Sequence, residues 1–143
     1  MNPAKDELLE KYSDQLLKSL QHLEYSFQKV SNFPLINENT DEESLESWES
    51  FSSRFSRASD LFVGKVLKRL ILQKDPAFRG SLIDLIHEAE KYGWINNADA
   101  WKKIREFGNI AAHEYAVDDL APMYKEILRL TPFILECKNV VQP

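Results

Sequence analysis

Hydrophobic residues recur every three or four positions along most of the chain, which is the spacing of amphipathic α-helices. In the segment from Lys5 to Val30, the residues with this spacing are Leu9, Tyr12, Leu16, Leu20, Leu23, Phe27 and Val30. In a second, longer segment they are Trp48, Phe51, Phe55, Ala58, Phe62, Val66 and Leu70. Strand signals are missing, so the pattern predicts an all-α protein.

Capping and helix-breaking residues predict where the helices begin and end. Thr40 and Glu43 match a capping box that would begin the second helix, and Pro76 would end it. The remaining boundary residues are Gly80 and Ser81 before a short third helix, Gly93 as its C-cap, Asn96 or Asn97 before a fourth helix that continues through His113, and Asp118 or Asp119 before a fifth. The expected architecture is a single domain, residues 1–143, folded as an antiparallel four-helix-type bundle with an extra short helix.

Composition and charge exclude several classes of protein. The chain has 143 residues, 43% of them hydrophobic, and a formal net charge of −5, which argues against a wholly basic nucleic-acid binder. Cys137 is the single cysteine, so an internal disulfide, a cysteine-rich zinc site and a CxxC redox pair are excluded. No apolar stretch approaches the ~20 residues of a membrane span, and the N-terminus lacks the apolar run of a signal peptide. We therefore expect a cytoplasmic protein with no membrane partner.

One segment is basic within this acidic chain. From Arg54 to Arg79 there are seven bases and two acids. At about 100° per residue, five of the bases fall within about one third of the helix circumference. These five are Arg54, Arg57, Lys65, Lys68 and Arg69. They form either an ordinary charged helix face or a surface that binds phosphates of RNA or an acidic partner.

Arg105, Asn109 and His113 are the candidate catalytic residues. Their spacing of four places a fixed cation, an amide and a titratable imidazole along one helical ridge. Arginine binds phosphate oxygens, histidine exchanges a proton near neutral pH, and asparagine can orient either group. Because no Asp, Glu and His set has metal-ligand spacing, we expect a reaction without a metal. RNA is the natural substrate, since its 2′-hydroxyl supplies an internal nucleophile.

Small residues beside this ridge predict a close approach of another backbone or a ligand. They are Gly108, Ala111 and Ala112. A two-fold axis through this seam would bring a second His113 and a second Arg105 into one cleft, which would supply both an acid and a base. The alternative is structural: Arg105 would pair with an acid such as Glu106 or Asp99, and Asn109 and His113 would form hydrogen bonds across the bundle.

The segment from Arg105 to Tyr115 resembles the signature of the HEPN superfamily, in which an arginine, often followed by asparagine, precedes a histidine. It is most similar to HepT-like proteins and to nucleotidyltransferase substrate-binding proteins. Residues 55–69 resemble the second helix of that group, and residues 86–95 resemble the segment that leads into its motif helix. The resemblance covers roughly residues 45 to 137, nearly the whole predicted bundle.

The resemblance implies a HEPN-like helical bundle, usually a homodimer, with the arginine and histidine facing a cleft between subunits. Many members are metal-independent ribonucleases that need no cofactor and act as toxins beside a minimal nucleotidyltransferase antitoxin. His113 and Asn109 match the family histidine and asparagine. Gly108 stands where many members have arginine, so Arg105, one turn earlier on the same ridge, is the candidate to stabilise phosphate charge.

The family also contains a histidine, any residue, tyrosine pattern whose tyrosine can receive a nucleotidyl group from the partner enzyme. His113, Glu114 and Tyr115 fit this pattern, which makes Tyr115 a candidate for modification. A core or interface aromatic is the alternative role for Tyr115. The sequence therefore predicts a HepT-like endoribonuclease toxin, and as an alternative a non-catalytic adaptor or substrate-binding subunit of a nucleotidyltransferase.

Overall fold

The computed structural model describes residues 6–108 and 117–142, and within them the chain is helical with no strand, which confirms the predicted all-α class. The helices are α1 (Glu7–Ser31), α2 (Glu42–Leu61), a π-helical segment (Phe62–Leu67), α3 (Lys68–Lys74), α4 (Leu82–Lys91), α5 (Ala98–Gly108), α6 (Val117–Leu135) and α7 (Lys138–Val141). None of the helices described is long and apolar enough to cross a membrane.

Helix α2 lies at the centre of the bundle and packs against α1, α5 and α6. Its apolar stripe is aromatic, and Trp48, Phe51 and Phe55 are each at most 1% exposed. The ring of Trp48 lies 5.0 Å from that of Tyr124 in α6, and Phe51 stacks on Phe27 of α1 at 6.2 Å. These contacts follow from the three-and-four spacing, because it turns every large aromatic side chain of α2 toward a neighbouring helix.

The capping residue of α2 differs from the expected one. Asp41 is the N-cap, and its carboxylate accepts a hydrogen bond from the amide of Ser44 at 2.8 Å. The hydroxyl of Thr40 instead accepts from the amide of Asn37 at 2.8 Å, so it closes the preceding turn. The predicted capping box of Thr40 and Glu43 is therefore wrong. Thr40 and Asp41 are both residue types that cap helices, and here the Asp41 carboxylate forms the N-cap of α2.

The predicted starts of α4 and α5 are confirmed, whereas the C-cap of α4 is Tyr92, one residue before the predicted Gly93. Ser81 and Asp84 form a capping box, in which each side chain accepts from the backbone amide of the other. Gly93 has a φ of +78°, and its amide and that of Trp94 close the C-terminus of α4 in the pattern of a Schellman motif. Asn97 caps α5, since its side chain accepts from the amide of Ala100.

Two features of the helices depart from the sequence pattern. The π-helical segment interrupts the long helix at Phe62–Leu67, so a constant angle per residue does not hold between Arg57 and Lys65. The described part of helix α6 runs from Val117, so Asp118 and Asp119 lie inside the helix, whereas the sequence predicted that one of them precedes it. The predicted start of this helix is therefore too late.

Candidate functional site

Arg105 lies where α5 packs against α2. Trp101 and Ile104 of α5 are buried, and the Trp101 ring packs at 4.9 Å on Phe62, the first residue of the π-helical segment that follows α2. Arg105 follows Trp101 by one helical turn, so its side chain leaves α5 at the edge of the same contact. The helix pairing thus holds the guanidinium against α2.

The guanidinium of Arg105 contacts two consecutive residues of α2. Its Nη1 donates to the carboxylate of Asp60 and to the hydroxyl of Ser59, the latter at 3.3 Å. The Arg105 side chain is 12% exposed and that of Asp60 is 59% exposed. Ser59 is fully buried. The cation therefore lies on the inner side of this ion pair and the acid on the solvent side.

The identity of the acid differs from the structural alternative that the sequence offered. That alternative paired Arg105 with Glu106 or Asp99, whereas the structure supplies Asp60 from α2. Asp99 lies 3.9 Å from the ammonium group of Lys102. The sequence did carry a signal for Asp60, because it is one of two acids in the basic segment from Arg54 to Arg79. Nothing in that signal identified the partner.

The close approach predicted at Gly108 is to another part of the same chain. A Cβ atom at this glycine would lie 3.7 Å from Ser59 Oγ and 3.8 Å from Ser56 Cα, which are ordinary van der Waals distances. Gly108 therefore faces α2, and on this side the seam is intramolecular rather than the expected contact between protomers. The other seam residues, Ala111 and Ala112, lie outside the described residues.

The remaining motif residues cannot be placed beside Arg105. Asn109, His113 and Tyr115 lie outside the described residues. The other two histidines, His22 and His87, are exposed. Of the predicted catalytic set, the structure therefore places Arg105.

Three of the five basic residues predicted to bind RNA or a partner contact α1. Arg54 donates to the carbonyl of His22 and to the hydroxyl of Ser26, and Lys65 lies 5.6 Å from the ring centroid of Tyr12. Arg69 donates through Nε and Nη2 to the carboxylate of Asp6. These three cations therefore help to hold the long helix against α1.

The other two bases of that set are Arg57 and Lys68, and both are exposed. They lie on opposite sides of the π-helical segment. Arg57 precedes Asp60 by three residues on α2, which places the two side chains next to each other on the helix surface. Of the five bases in this set, Arg57 is thus the nearest in sequence to Asp60.

A cleft that the sequence did not predict lies between the α4–α5 connection and the α6–α7 junction. It has a volume of about 460 Å³, and its lining includes Trp94, Trp101, Phe133 and Cys137. Burial raises the pKa of the Cys137 thiol well above its usual range, which makes that thiol a poor nucleophile at neutral pH. Arg105 does not line this cleft. Within the described residues, no group of three His, Cys, Asp or Glu side chains is arranged to hold a metal ion.

Comparison of the chain with protein-family models and with curated proteins found no match. The resemblance to the HEPN superfamily therefore rests on the sequence motif alone.

Proposed function

We propose that this protein is a HepT-like, metal-independent endoribonuclease, which acts as the toxin of a pair with a minimal nucleotidyltransferase. The observation that carries the proposal is the position of Arg105. Its guanidinium is largely buried and held by Ser59 and Asp60, on the helix whose sequence continues directly to Asn109 and His113. A charge fixed in this way before substrate binds is suited to stabilise charge that develops on a phosphate.

The reaction uses the 2′-hydroxyl of the RNA as nucleophile. A base removes the proton of that hydroxyl, the oxygen attacks the adjacent phosphorus, and the bond from phosphorus to the 5′-oxygen breaks. An acid gives a proton to the leaving 5′-oxygen, so the products carry a 2′,3′-cyclic phosphate and a 5′-hydroxyl. His113 transfers protons, Arg105 stabilises the negative charge of the phosphorane, and Asn109 positions them.

The reaction needs two titratable groups, one as base and one as acid, and each chain has one motif histidine. A homodimer that places two His113 side chains in one cleft supplies the acid and the base together. Partial burial of Arg105 supports its role, because its charge acts more strongly where water is partly excluded. The exposed base Arg57 would add attraction for the RNA backbone.

The experiment is RNA cleavage by purified protein in the presence of a chelator. H113A should abolish cleavage and any growth inhibition while the far-ultraviolet circular dichroism of the protein stays unchanged. H87A is the matched control, because His87 is an exposed histidine outside the motif, and it should cleave as the unmodified chain does. Retained cleavage by H113A would reject the assignment.

A second candidate function is favoured by the ion pair itself. Because Asp60 already accepts a hydrogen bond from Arg105, and Gly108 supplies no second arginine, the chain would also suit a non-catalytic adaptor. Such an adaptor would bind a nucleotidyltransferase and present Tyr115 or a substrate to it. Purified protein would then leave RNA intact in the chelator assay and bind the partner stoichiometrically.

A further inference from the structure

The acid of the Arg105 ion pair is the more exposed member of the pair. Arg105 is 12% exposed, while Asp60, which accepts from its Nη1, is 59% exposed. The Asp60 carboxylate is therefore the more accessible of the two groups. Carboxylate and phosphate are both anionic acceptors for guanidinium N–H groups, so they compete for the same donors.

We propose that Asp60 is an internal competitor for RNA: it occupies Arg105 in the free protein and is displaced by the phosphate of bound RNA. This inference rests on the proposed function, since it requires Arg105 to bind phosphate. Ser59 would remain in contact with Arg105 during the exchange, because its fully buried hydroxyl lies on the inner side of the guanidinium. The contact of Arg105 with Ser59 is therefore kept while the carboxylate is replaced.

The displaced carboxylate has an alternative partner on its own helix. Arg57 is exposed and precedes Asp60 by three residues, a spacing at which acid and base side chains interact across the surface of a helix. Asp60 would thus move from Arg105 to Arg57 without entering solvent alone. The exchange is confined to side chains and requires no movement of α2 or α5.

Removing the competitor should strengthen RNA binding. The pair is partly exposed, and ion pairs of this kind contribute little, so D60N should lower the Kd for RNA about two- to fivefold. A loss of negative charge anywhere nearby also favours RNA, so a matched control is required. E106Q is that control, because Glu106 is an exposed acid on the same helix as Arg105.

The test is fluorescence anisotropy with a short, labelled single-stranded RNA that carries 2′-O-methyl groups and therefore cannot be cleaved, in a chelator. D60N should bind more tightly than E106Q, and the gain from D60N should fall to that of E106Q when R105Q is also present. D60S repeats the test with a smaller side chain, and thermal unfolding checks that each variant folds.

Two results would overturn the inference. D60N that binds no more tightly than E106Q, or more weakly than the unmodified chain, would show that Asp60 does not compete with RNA. A gain that persists in the R105Q background would show that Asp60 acts elsewhere. A separate result would reject the proposed function: R105Q alone would bind RNA as tightly as the unmodified chain does. If R105Q loses RNA binding but D60N shows no gain, only the role of Asp60 as competitor is rejected.

Discussion

Within residues 6–108 and 117–142, two arginine–aspartate pairs have opposite arrangements. In the pair of Asp6 and Arg69, the acid is 10% exposed and the arginine 34% exposed. In the pair of Arg105 and Asp60, the arginine is 12% exposed and the acid 59% exposed. The first pair buries its anion and the second buries its cation.

The partners of each pair explain the difference. Asp6 is the N-cap of α1, and its carboxylate accepts from the amide of Leu9 at 3.0 Å as well as from Arg69 and Gln73. Every one of these bonds joins α1 to itself or to α3, so this acid is structural. The bonds of Arg105 likewise join α5 to α2, but here the acid lies toward solvent, and under the proposed function an external anion takes its place.

The largest expected effect comes from neutralising Arg105. R105Q should lower the rate of RNA cleavage by roughly 10²–10³, because a fixed donor to the developing charge is lost. R105K keeps the positive charge but lacks the planar guanidinium with its paired N–H donors, so its cleavage rate should lie between those of R105Q and the unmodified chain. The measurement is the single-turnover rate of cleavage in a chelator, with K103Q, an exposed base on the same helix, as a control that retains the rate. Equal cleavage rates for R105Q and K103Q would show that Arg105 has no role in cleavage, and the pair of Arg105 and Asp60 would then be structural like the pair of Arg69 and Asp6.

The next effect is on folding and concerns Asp6. D6A should lower the free energy of unfolding by about 1–2 kcal/mol, since the helix cap is lost together with the ion pair. D6N should lose less, because asparagine caps a helix as well as aspartate does. Urea denaturation measures both variants. D41A removes a cap that has no arginine partner in the described contacts and serves as the comparison. If D6A left the midpoint unchanged, Asp6 would not be structural.

A smaller effect is expected at the contact between α2 and α5. G108A should raise the free energy of unfolding by about 0.5–1 kcal/mol, because alanine has the higher helix propensity and its methyl group meets Ser59 and Ser56 at ordinary contact distances. Urea denaturation again provides the measurement. A destabilised G108A would mean that the two helices approach each other more closely than the structure shows.

The smallest effect is the pH dependence of the structural pair. The amide of Leu9 is the main cause that holds the pKa of Asp6 below its usual value of 3.8, against desolvation, with Arg69 and Gln73 adding to it. The folded state therefore binds this proton less readily than the unfolded chain. The stabilisation is complete above the ordinary aspartate pKa and is lost as the pH falls through the lower, folded pKa. The difference in stability between the unmodified chain and D6N should shrink over this acidic range in urea titrations. A difference that is constant with pH would contradict the assignment.

Much of the fold could be predicted because it depends on local sequence. The three-and-four spacing identifies the buried face of α1 and α2, and Ser81 and Gly93 mark the ends of α4 through their own backbone bonds. The π-helical segment could not be predicted, since Phe62–Leu67 carries no proline and its widened turn depends on packing against neighbouring helices.

Only the part of the candidate site that lies on a single predicted helix could be predicted from the sequence. Spacing placed Arg105 on a ridge with Asn109 and His113, but its acid partner is 45 residues away in sequence. That pairing depends on how α5 packs against α2, and no local sequence pattern encodes this packing. The same reasoning applies to Arg69, whose partner Asp6 lies 63 residues away.

The central claim, that His113 and Arg105 cleave RNA through its own 2′-hydroxyl, is tested most directly by analysis of the product ends. RNA incubated with the purified protein in a chelator should yield a 2′,3′-cyclic phosphate and a 5′-hydroxyl, and a single 2′-deoxy substitution at the cleavage position should block cleavage there. Intact RNA, products with 3′-hydroxyl and 5′-phosphate ends, or undiminished cleavage of the deoxy-substituted strand would contradict it.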